Sequence, residues 1–201
     1  MSPLSFAHAI HAAWLRAGAL AAGLSIVPLL SGCAPTAIPM GPPVRPAALA
    51  EDAALMADGT DLPLKVWWPE ASSPRAVILA LHGFNDYSNA FAIPAPLWAE
   101  EGIATYAYDQ RGFGASEERG LWPSEEALGH DLRTVLKLVR ARHPGIPLYV
   151  LGESMGAAVA IAALAGHDRL ADGAVLVAPA VRALDEHNPI GRALLWLAAH
   201  T

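Results

Sequence analysis

The chain has 201 residues, of which 54% are hydrophobic and 16% are charged, so it is long enough and apolar enough to bury one substantial core. Its formal net charge of −6, without any cluster of Lys or Arg, argues against nucleic acid as a partner. The single cysteine, Cys33, excludes an internal disulfide and any metal or redox site built from paired cysteines.

The first 32 residues have the pattern of a signal peptide. They contain no Asp or Glu, one arginine at position 16, and then an uninterrupted apolar or small stretch over 17–30. This stretch covers about 21 Å as a helix, which is short of the roughly 30 Å hydrocarbon core of a bilayer. The sequence Leu-Ser-Gly-Cys at 30–33 resembles a bacterial lipobox, which predicts cleavage before Cys33 and lipid attachment to it. An ordinary cleaved signal with a chance cysteine, or a buried apolar helix, are the alternatives.

Residues 33–54 are predicted to be a tether between the lipidated cysteine and a folded body. Five prolines lie between positions 35 and 46, and proline removes backbone donors and favours extended conformations. We therefore place the folded core at 55–181 and the start of a lid at 182–201, where an apolar, Trp-containing amphipathic helix is expected over 189–200.

From residue 55 onward, short β-branched or aromatic runs alternate with longer amphipathic stretches. The runs 62–68, 76–81, 103–108, 147–151 and 174–178 are predicted strands, and the stretches 92–101, 124–142 and 155–165 are predicted helices. Ser124 is expected to cap the long helix, with acidic residues in its first turn and basic residues in its last. This order predicts an α/β fold with a doubly wound, mainly parallel sheet.

In such a sheet, ligands bind beyond the carboxyl ends of the strands, so the loops that follow the strands are the candidate site. Three of them are distinctive: HGFNDYS at 82–88, DQRGFGAS at 109–116 and GESMG at 152–156. With these motifs, residues 55–181 resemble the α/β-hydrolase superfamily, and within it the monoacylglycerol lipase, lysophospholipase and serine aminopeptidase-like branch. The likeness covers the N-terminal half to two-thirds of that catalytic domain, so the chain is expected to be truncated.

The GESMG segment fits the GxSxG nucleophile elbow, in which a strand turns sharply into a helix and exposes the serine hydroxyl. Gly152 and Gly156 are explained by that geometry, because side chains at these positions would collide with neighbouring backbone. The segment follows an apolar strand and precedes a helix of small residues. Ser154 is therefore the predicted nucleophile.

The resemblance also implies the other parts of the site. In the family, the oxyanion is held by the backbone N–H after the nucleophile, here Met155, and by that of the residue after the His-Gly pair, here Phe84. His82 and Gly83 are then a structural motif, with His82 bracing its loop rather than acting as a base. Asp109 and Arg111 are interpreted as the turn-forming pair of the loop after the third predicted strand, with the Asp accepting from its own backbone.

A serine hydrolase of this class needs an acid and then a histidine after the nucleophile. His167 and Asp168 end the elbow helix and are poor candidates, while Asp185 with His187 or His200 is formally in order but has no following strand to position it. We expect the true acid and base to lie beyond residue 201, and hence slow or absent reaction of Ser154 with a fluorophosphonate probe in the 201-residue chain.

The sequence therefore predicts an exported, lipid-anchored serine hydrolase of carboxylic esters, on the periplasmic side or the surface of a bacterium. The resemblance favours a monoacylglycerol or lysophospholipid substrate, and neither a cofactor nor a metal ion is expected. Two alternatives stay open. One is a non-catalytic, membrane-tethered protein, and the other is a peptidase that acts on N-terminal residues with the same machinery.

Overall fold

The structure, a computed structural model, describes residues 37–70, 73–166 and 169–181. The predicted signal peptide over 1–32, Cys33, the lid segment 182–201, and the residues His167, Asp168, Asp185, His187 and His200 all lie outside the described residues. Among the described residues, no helix is both long enough and apolar enough to cross a membrane.

Seven strands and three helices make up the described part of the chain. The strands are β1 (Ala48–Leu49), β2 (Ala53–Leu55), β3 (Asp61–Trp67), β4 (Ala76–Leu81), β5 (Ile103–Tyr108), β6 (Leu148–Glu153) and β7 (Gly173–Val177). The helices are α1 (Pro94–Glu100), α2 (Glu125–Arg142) and α3 (Met155–Leu164), and a 3₁₀ turn covers Ser88–Phe91. Within the described residues, every strand and helix predicted from the sequence is present, with ends shifted by no more than two residues, and the helix predicted over 189–200 lies outside them.

The strands form one sheet in the order β1-β2-β3-β5-β4-β6-β7. The pairs β4–β5, β4–β6 and β6–β7 are parallel, while β1–β2, β2–β3 and β3–β5 are antiparallel. Because β4, β5, β6 and β7 run in the same direction, their carboxyl ends meet at one edge of the sheet. The predicted mainly parallel α/β sheet is thus confirmed, with an antiparallel extension at one side.

The core lies on both faces of this sheet. Along β4, Val77, Leu79 and Leu81 pack into a large cluster that includes buried residues of α2 and α3, whereas Ala80 packs into a smaller cluster with Ala95 of α1. Successive side chains of a strand point to opposite faces, so this alternation shows that helices cover both sides. A strand buried on both faces needs the near-continuous apolar sequence that β4 has.

Helix α2 follows the sequence expectations closely. The Ser124 hydroxyl oxygen accepts a hydrogen bond from the Ala127 amide at 3.1 Å, which caps the helix. Glu125 and Glu126 lie in the first turn and Arg140 and Arg142 in the last. These charges oppose the partial charges at each end of the helix, so the local sequence and the helix dipole agree.

The predicted boundary between tether and core at residue 55 is wrong. β1 and β2 pair with each other, β2 pairs with β3, and Ala54 is fully buried. Even the proline-rich stretch lies against the body, since the Ile38 amide donates to the Trp122 carbonyl at 2.8 Å. These strands are two and three residues long and rich in alanine, so they carry no β-branched or alternating pattern and form only because β3 offers an edge.

Candidate active site

The backbone turns sharply from β6 into α3 at Ser154. This residue has φ = 50° and ψ = −110°, a conformation that L-residues with a side chain rarely adopt. A Cβ added at Gly152 would lie 2.6 Å from the Ala157 backbone, and one added at Gly156 would lie 2.5 Å from the Leu81 carbonyl oxygen. Only glycine fits at these two positions, which accounts for the spacing of the motif.

Hydrogen bonds from the end of β7 hold the strained residue in place. The Ser154 amide donates to the Val177 carbonyl at 2.9 Å, and the Ala180 amide donates to the Ser154 carbonyl at 3.1 Å. On the other side, a Cβ added at Gly83 would lie 3.5 Å from the Ser154 Cβ. Ser154 is therefore half-buried where the chain segments that follow β4, β6 and β7 meet.

The two predicted oxyanion donors, Phe84 and Met155, flank this serine. Met155 is the first residue of α3, and Phe84 directly follows Gly83 in the loop after β4. Within the described residues, neither backbone amide donates a hydrogen bond to another protein group. An unpaired amide at a helix start is one of the donors that a helix leaves free, and such donors favour an anion.

Beside Ser154 lies an open, mostly apolar cavity of about 630 Å³. Apolar side chains from the loops, α2 and α3 form most of its wall: Phe84, Trp122, Leu128, Met155, Val159, Ile161 and Val181. Phe84, exposed over 66% of its surface, contacts Trp122 with ring centroids 6.0 Å apart. This volume lies within the range of ordinary small-molecule sites.

His82 is fully buried, and both of its ring nitrogens are engaged. Nε2 accepts a hydrogen bond from the Gln110 amide at 3.0 Å, so Nδ1 carries the proton and donates to the Gly83 carbonyl at 2.8 Å. Burial lowers the pKa of His82 below its ordinary value, although the bond to Gly83 partly opposes that shift. A neutral imidazole whose two ring nitrogens both make hydrogen bonds cannot take a proton from Ser154. The contacts of His82 therefore brace the loop that carries Phe84.

Asp109 joins two loops at the site. One carboxylate oxygen accepts from the Ser88 amide at 2.8 Å, and the other accepts from the Ala115 amide at 2.8 Å. The bond to Ala115 lies within its own loop, as expected for a turn-forming Asp, and the bond to Ser88 connects the loop after β4.

The prediction that Arg111 forms a turn pair with Asp109 is wrong. Arg111 is 2% exposed and makes a two-pronged hydrogen bond to Asp131 of α2, with both distances 3.0 Å. It also contacts Asp58 at 2.8 Å and the Thr60 hydroxyl at 2.6 Å, both in the turn between β2 and β3. The planar guanidinium needs several acceptors once buried, and these lie far away in sequence.

The sequence alone does not reveal which acceptors surround Arg111. Burial works to raise the pKa of Asp58, but the hydrogen bonds from Arg111 and Thr60 outweigh it and leave that pKa below its ordinary value. For Asp131 burial prevails and raises the pKa, because the bonds from Arg111 offset it only in part. A polar residue on the buried side of α2, at Asp131, was the one signal in the sequence that marked this cluster.

No group of three or more His, Cys, Asp or Glu side chains that could hold a metal ion is found among the residues that the structure describes.

A mainly parallel sheet with helices on both faces, and a strained serine between strand and helix, define this chain as an α/β-hydrolase. Similar folds include an α/β-hydrolase from Penicillium sp. sh18, 24% identical with a TM-score of 0.59 over 74% of this chain and 51% of the other. A soluble variant of monoglyceride lipase from Saccharomyces cerevisiae, in complex with a substrate analog, is 22% identical with a TM-score of 0.53, over 69% of this chain and 48% of the other. The family described as serine aminopeptidase, S33, matches residues 72–201, and the chain belongs to this family of hydrolases.

Curated relatives include monoacylglycerol lipases. The enzyme from Mycolicibacterium smegmatis (strain ATCC 700084 / mc(2)155) is 30% identical over 133 residues, which are 66% of this chain and 47% of the relative. Monoglyceride lipase from Homo sapiens is 31% identical over 131 residues, or 65% of this chain and 43% of the relative. The chain spans less than half the length of these relatives.

Proposed function

We propose that the protein is a serine hydrolase that cleaves carboxylic esters of monoacylglycerol or lysophospholipid type, with Ser154 as its nucleophile. The observation that carries the proposal is the position of Ser154, held at positive φ between β6 and α3 on the wall of an apolar cavity. Strained conformations of this kind persist where surrounding contacts over-determine them, and they cluster at active sites.

In the proposed reaction, the Ser154 hydroxyl oxygen attacks the ester carbonyl carbon and forms a tetrahedral oxyanion. The amides of Met155 and Phe84 donate to that oxyanion, and each such donor typically contributes about 3 kcal/mol to the lowering of the barrier. Collapse of the intermediate releases the alcohol and leaves an acyl-enzyme, which water hydrolyses to the free acid. Both ring nitrogens of His82 are engaged in hydrogen bonds. We therefore propose that a histidine that follows Ser154 in chain order accepts its proton during the attack and passes it to the leaving alcohol.

The substrate class rests on the cavity and on the relatives. An aliphatic and aromatic wall favours an acyl chain over a peptide, since burial of each methylene contributes about 0.8 kcal/mol. The curated relatives are named monoacylglycerol and monoglyceride lipases.

A Ser154→Ala variant of the full-length protein tests the proposal. We expect hydrolysis of 4-nitrophenyl butyrate and of 1-octanoylglycerol to fall by at least about a thousandfold, because the nucleophile is lost. Labelling by a fluorophosphonate probe should be lost as well, while the unfolding temperature stays close to that of the wild type.

Ser116→Ala is the matched control. The Ser116 hydroxyl is buried, has no partner among the described residues and does not line the cavity, so this variant should keep its activity. Turnover that survives Ser154→Ala would refute the assignment of the nucleophile. A wild-type protein that neither hydrolyses these esters nor reacts with the probe would favour the non-catalytic alternative.

We also propose that Cys33 carries a lipid that anchors the exported protein to a membrane. The support is the Leu-Ser-Gly-Cys sequence at the end of an apolar run. The Cys33→Ser variant, expressed in a bacterial host, should lose incorporation of radiolabelled palmitate and leave the membrane fraction. Equal palmitate incorporation by wild type and variant would refute the anchor.

A further inference from the structure

One charged side chain lines the cavity beside Ser154. Among the described lining residues, Glu125 is the sole charged one, and the others are apolar side chains together with Ser154 itself. Glu125 is the first residue of α2 and is exposed, whereas its neighbour Glu126 is also exposed but does not line the cavity.

The packing of α2 against α3 gives Glu125 its place in this wall. The two helices approach closely, since a Cβ added at Gly129 of α2 would lie 3.9 Å from Ala163 of α3. Leu128 and Val159 continue the same wall from the two helices and are buried in the core. The carboxylate of Glu125 therefore stands at the margin of an apolar surface that α2 and α3 build together.

Two arginines of the described residues, Arg119 and Arg133, lie in the surroundings of this carboxylate. A neighbouring depression shares Phe84 and Trp122 with the cavity and carries Asp86 and Arg119, whose formal charges cancel. The start of α2 contributes a partial positive charge of about half a unit, and the Ser124 hydroxyl already satisfies one of its free amides. The guanidinium of Arg133 lies 3.1 Å from a Cβ added at Gly129, on the same face of α2, but Arg133 does not line the cavity. The formal charge in the described part of the cavity wall is therefore the negative charge of Glu125.

We infer that Glu125 determines specificity by making the site select uncharged esters over esters whose headgroup carries a net negative charge. This inference rests on the proposed ester hydrolysis and narrows its substrate class from monoacylglycerols and lysophospholipids to neutral monoesters. An anionic headgroup in the cavity faces like-charge repulsion from Glu125, and a neutral glycerol does not.

The test compares 1-octanoylglycerol with 1-octanoylglycerol 3-phosphate, both below their aggregation concentrations, with full-length wild type, Glu125→Gln and Glu126→Gln. The ratio of kcat/KM for the phosphate to kcat/KM for the neutral ester should rise about fivefold in Glu125→Gln, the scale of one charge acting over several ångströms through partly hydrated surroundings. Glu126→Gln removes the same charge one residue further along α2 and should leave the ratio unchanged. The rise of this ratio in Glu125→Gln should be smaller in about 0.5 M salt, because mobile ions screen the charge of Glu125.

An equal ratio in Glu125→Gln and wild type, or an equal rise in Glu126→Gln, would overturn the inference while leaving ester hydrolysis intact. Absence of turnover on both substrates, together with an unreactive Ser154, would instead refute the proposed function and this inference with it.

Discussion

The backbone conformation of Ser154 shows how one residue is forced into a position that its own preferences disfavour. Its φ of 50° is imposed by hydrogen bonds to the Val177 carbonyl and from the Ala180 amide, and by glycines on either side that leave room for the turn. Strain of this kind costs on the order of 1–3 kcal/mol. A serine rather than a glycine at this position therefore lowers the stability of the fold.

Replacement of Ser154 by glycine should consequently yield a more stable protein than replacement by alanine. Both variants lack the hydroxyl, but glycine adopts the positive φ freely, so we expect Ser154→Gly to exceed Ser154→Ala by about 1 kcal/mol in free energy of unfolding. Chemical denaturation of the two variants measures the difference. Ser116 is not among the residues with positive φ, so there the alanine variant should be more stable than the glycine variant. A glycine variant that is more stable than the alanine variant at both positions would contradict the strain at Ser154.

At the scale of elements, the junction of β6 and α3 depends on the close approach of α3 to β4. The sequence predicted this strand, turn and helix correctly, because the apolar run and the small-residue helix are local patterns. The 2.5 Å separation between a Cβ at Gly156 and the Leu81 carbonyl oxygen arises from tertiary packing and not from a local pattern. It explains why the first turn of α3 needs a glycine despite the low helix propensity of that residue.

Two Gly→Ala substitutions within helices should therefore have opposite effects. Gly156→Ala pushes α3 away from backbone atoms of β4 and should lower the free energy of unfolding by about 3 kcal/mol. A Cβ at Gly129 of α2 lies 3.1 Å from the flexible end of Arg133 and 3.9 Å, an ordinary contact distance, from Ala163. Gly129→Ala should therefore raise the free energy of unfolding by about 0.5–1 kcal/mol through helix propensity. Thermal unfolding of both variants measures these shifts. A Gly156→Ala variant as stable as the wild type would show that α3 and β4 do not pack closely at this junction.

At the scale of the whole molecule, Arg111 connects segments that are distant in sequence. It links the turn between β2 and β3 through Asp58 and Thr60 to helix α2 through Asp131. The loop after β5 carries Arg111 and, through Asp109, also holds the loop after β4. The turn that carries Asp58 and Thr60 is thereby held against the body of the fold.

The substitution Arg111→Lys should weaken this connection despite the retained charge. An ammonium cannot make the two-pronged bond to Asp131 and reach Asp58 and Thr60 together, so we expect a loss of about 3 kcal/mol in free energy of unfolding. Arg140→Lys is the control, because its ion pair with Asp172 is half-exposed and should contribute less than about 1 kcal/mol. Denaturant unfolding measures the free energy of unfolding of both variants. A loss for Arg111→Lys as small as that for Arg140→Lys would show that the buried hydrogen bonds of Arg111 contribute little to stability.

The sequence by itself determined the elements from β3 to β7, the mainly parallel character of their sheet and the turn at Ser154, since each depends on local periodicity or on a glycine that a tight turn requires. Only the tertiary structure decided that β1 and β2 extend the sheet, that Arg111 pairs with Asp131 and Asp58, and that Glu125 stands at the cavity. Short strands and buried ion pairs owe their stability to partners far along the chain, so no local pattern of residues encodes them.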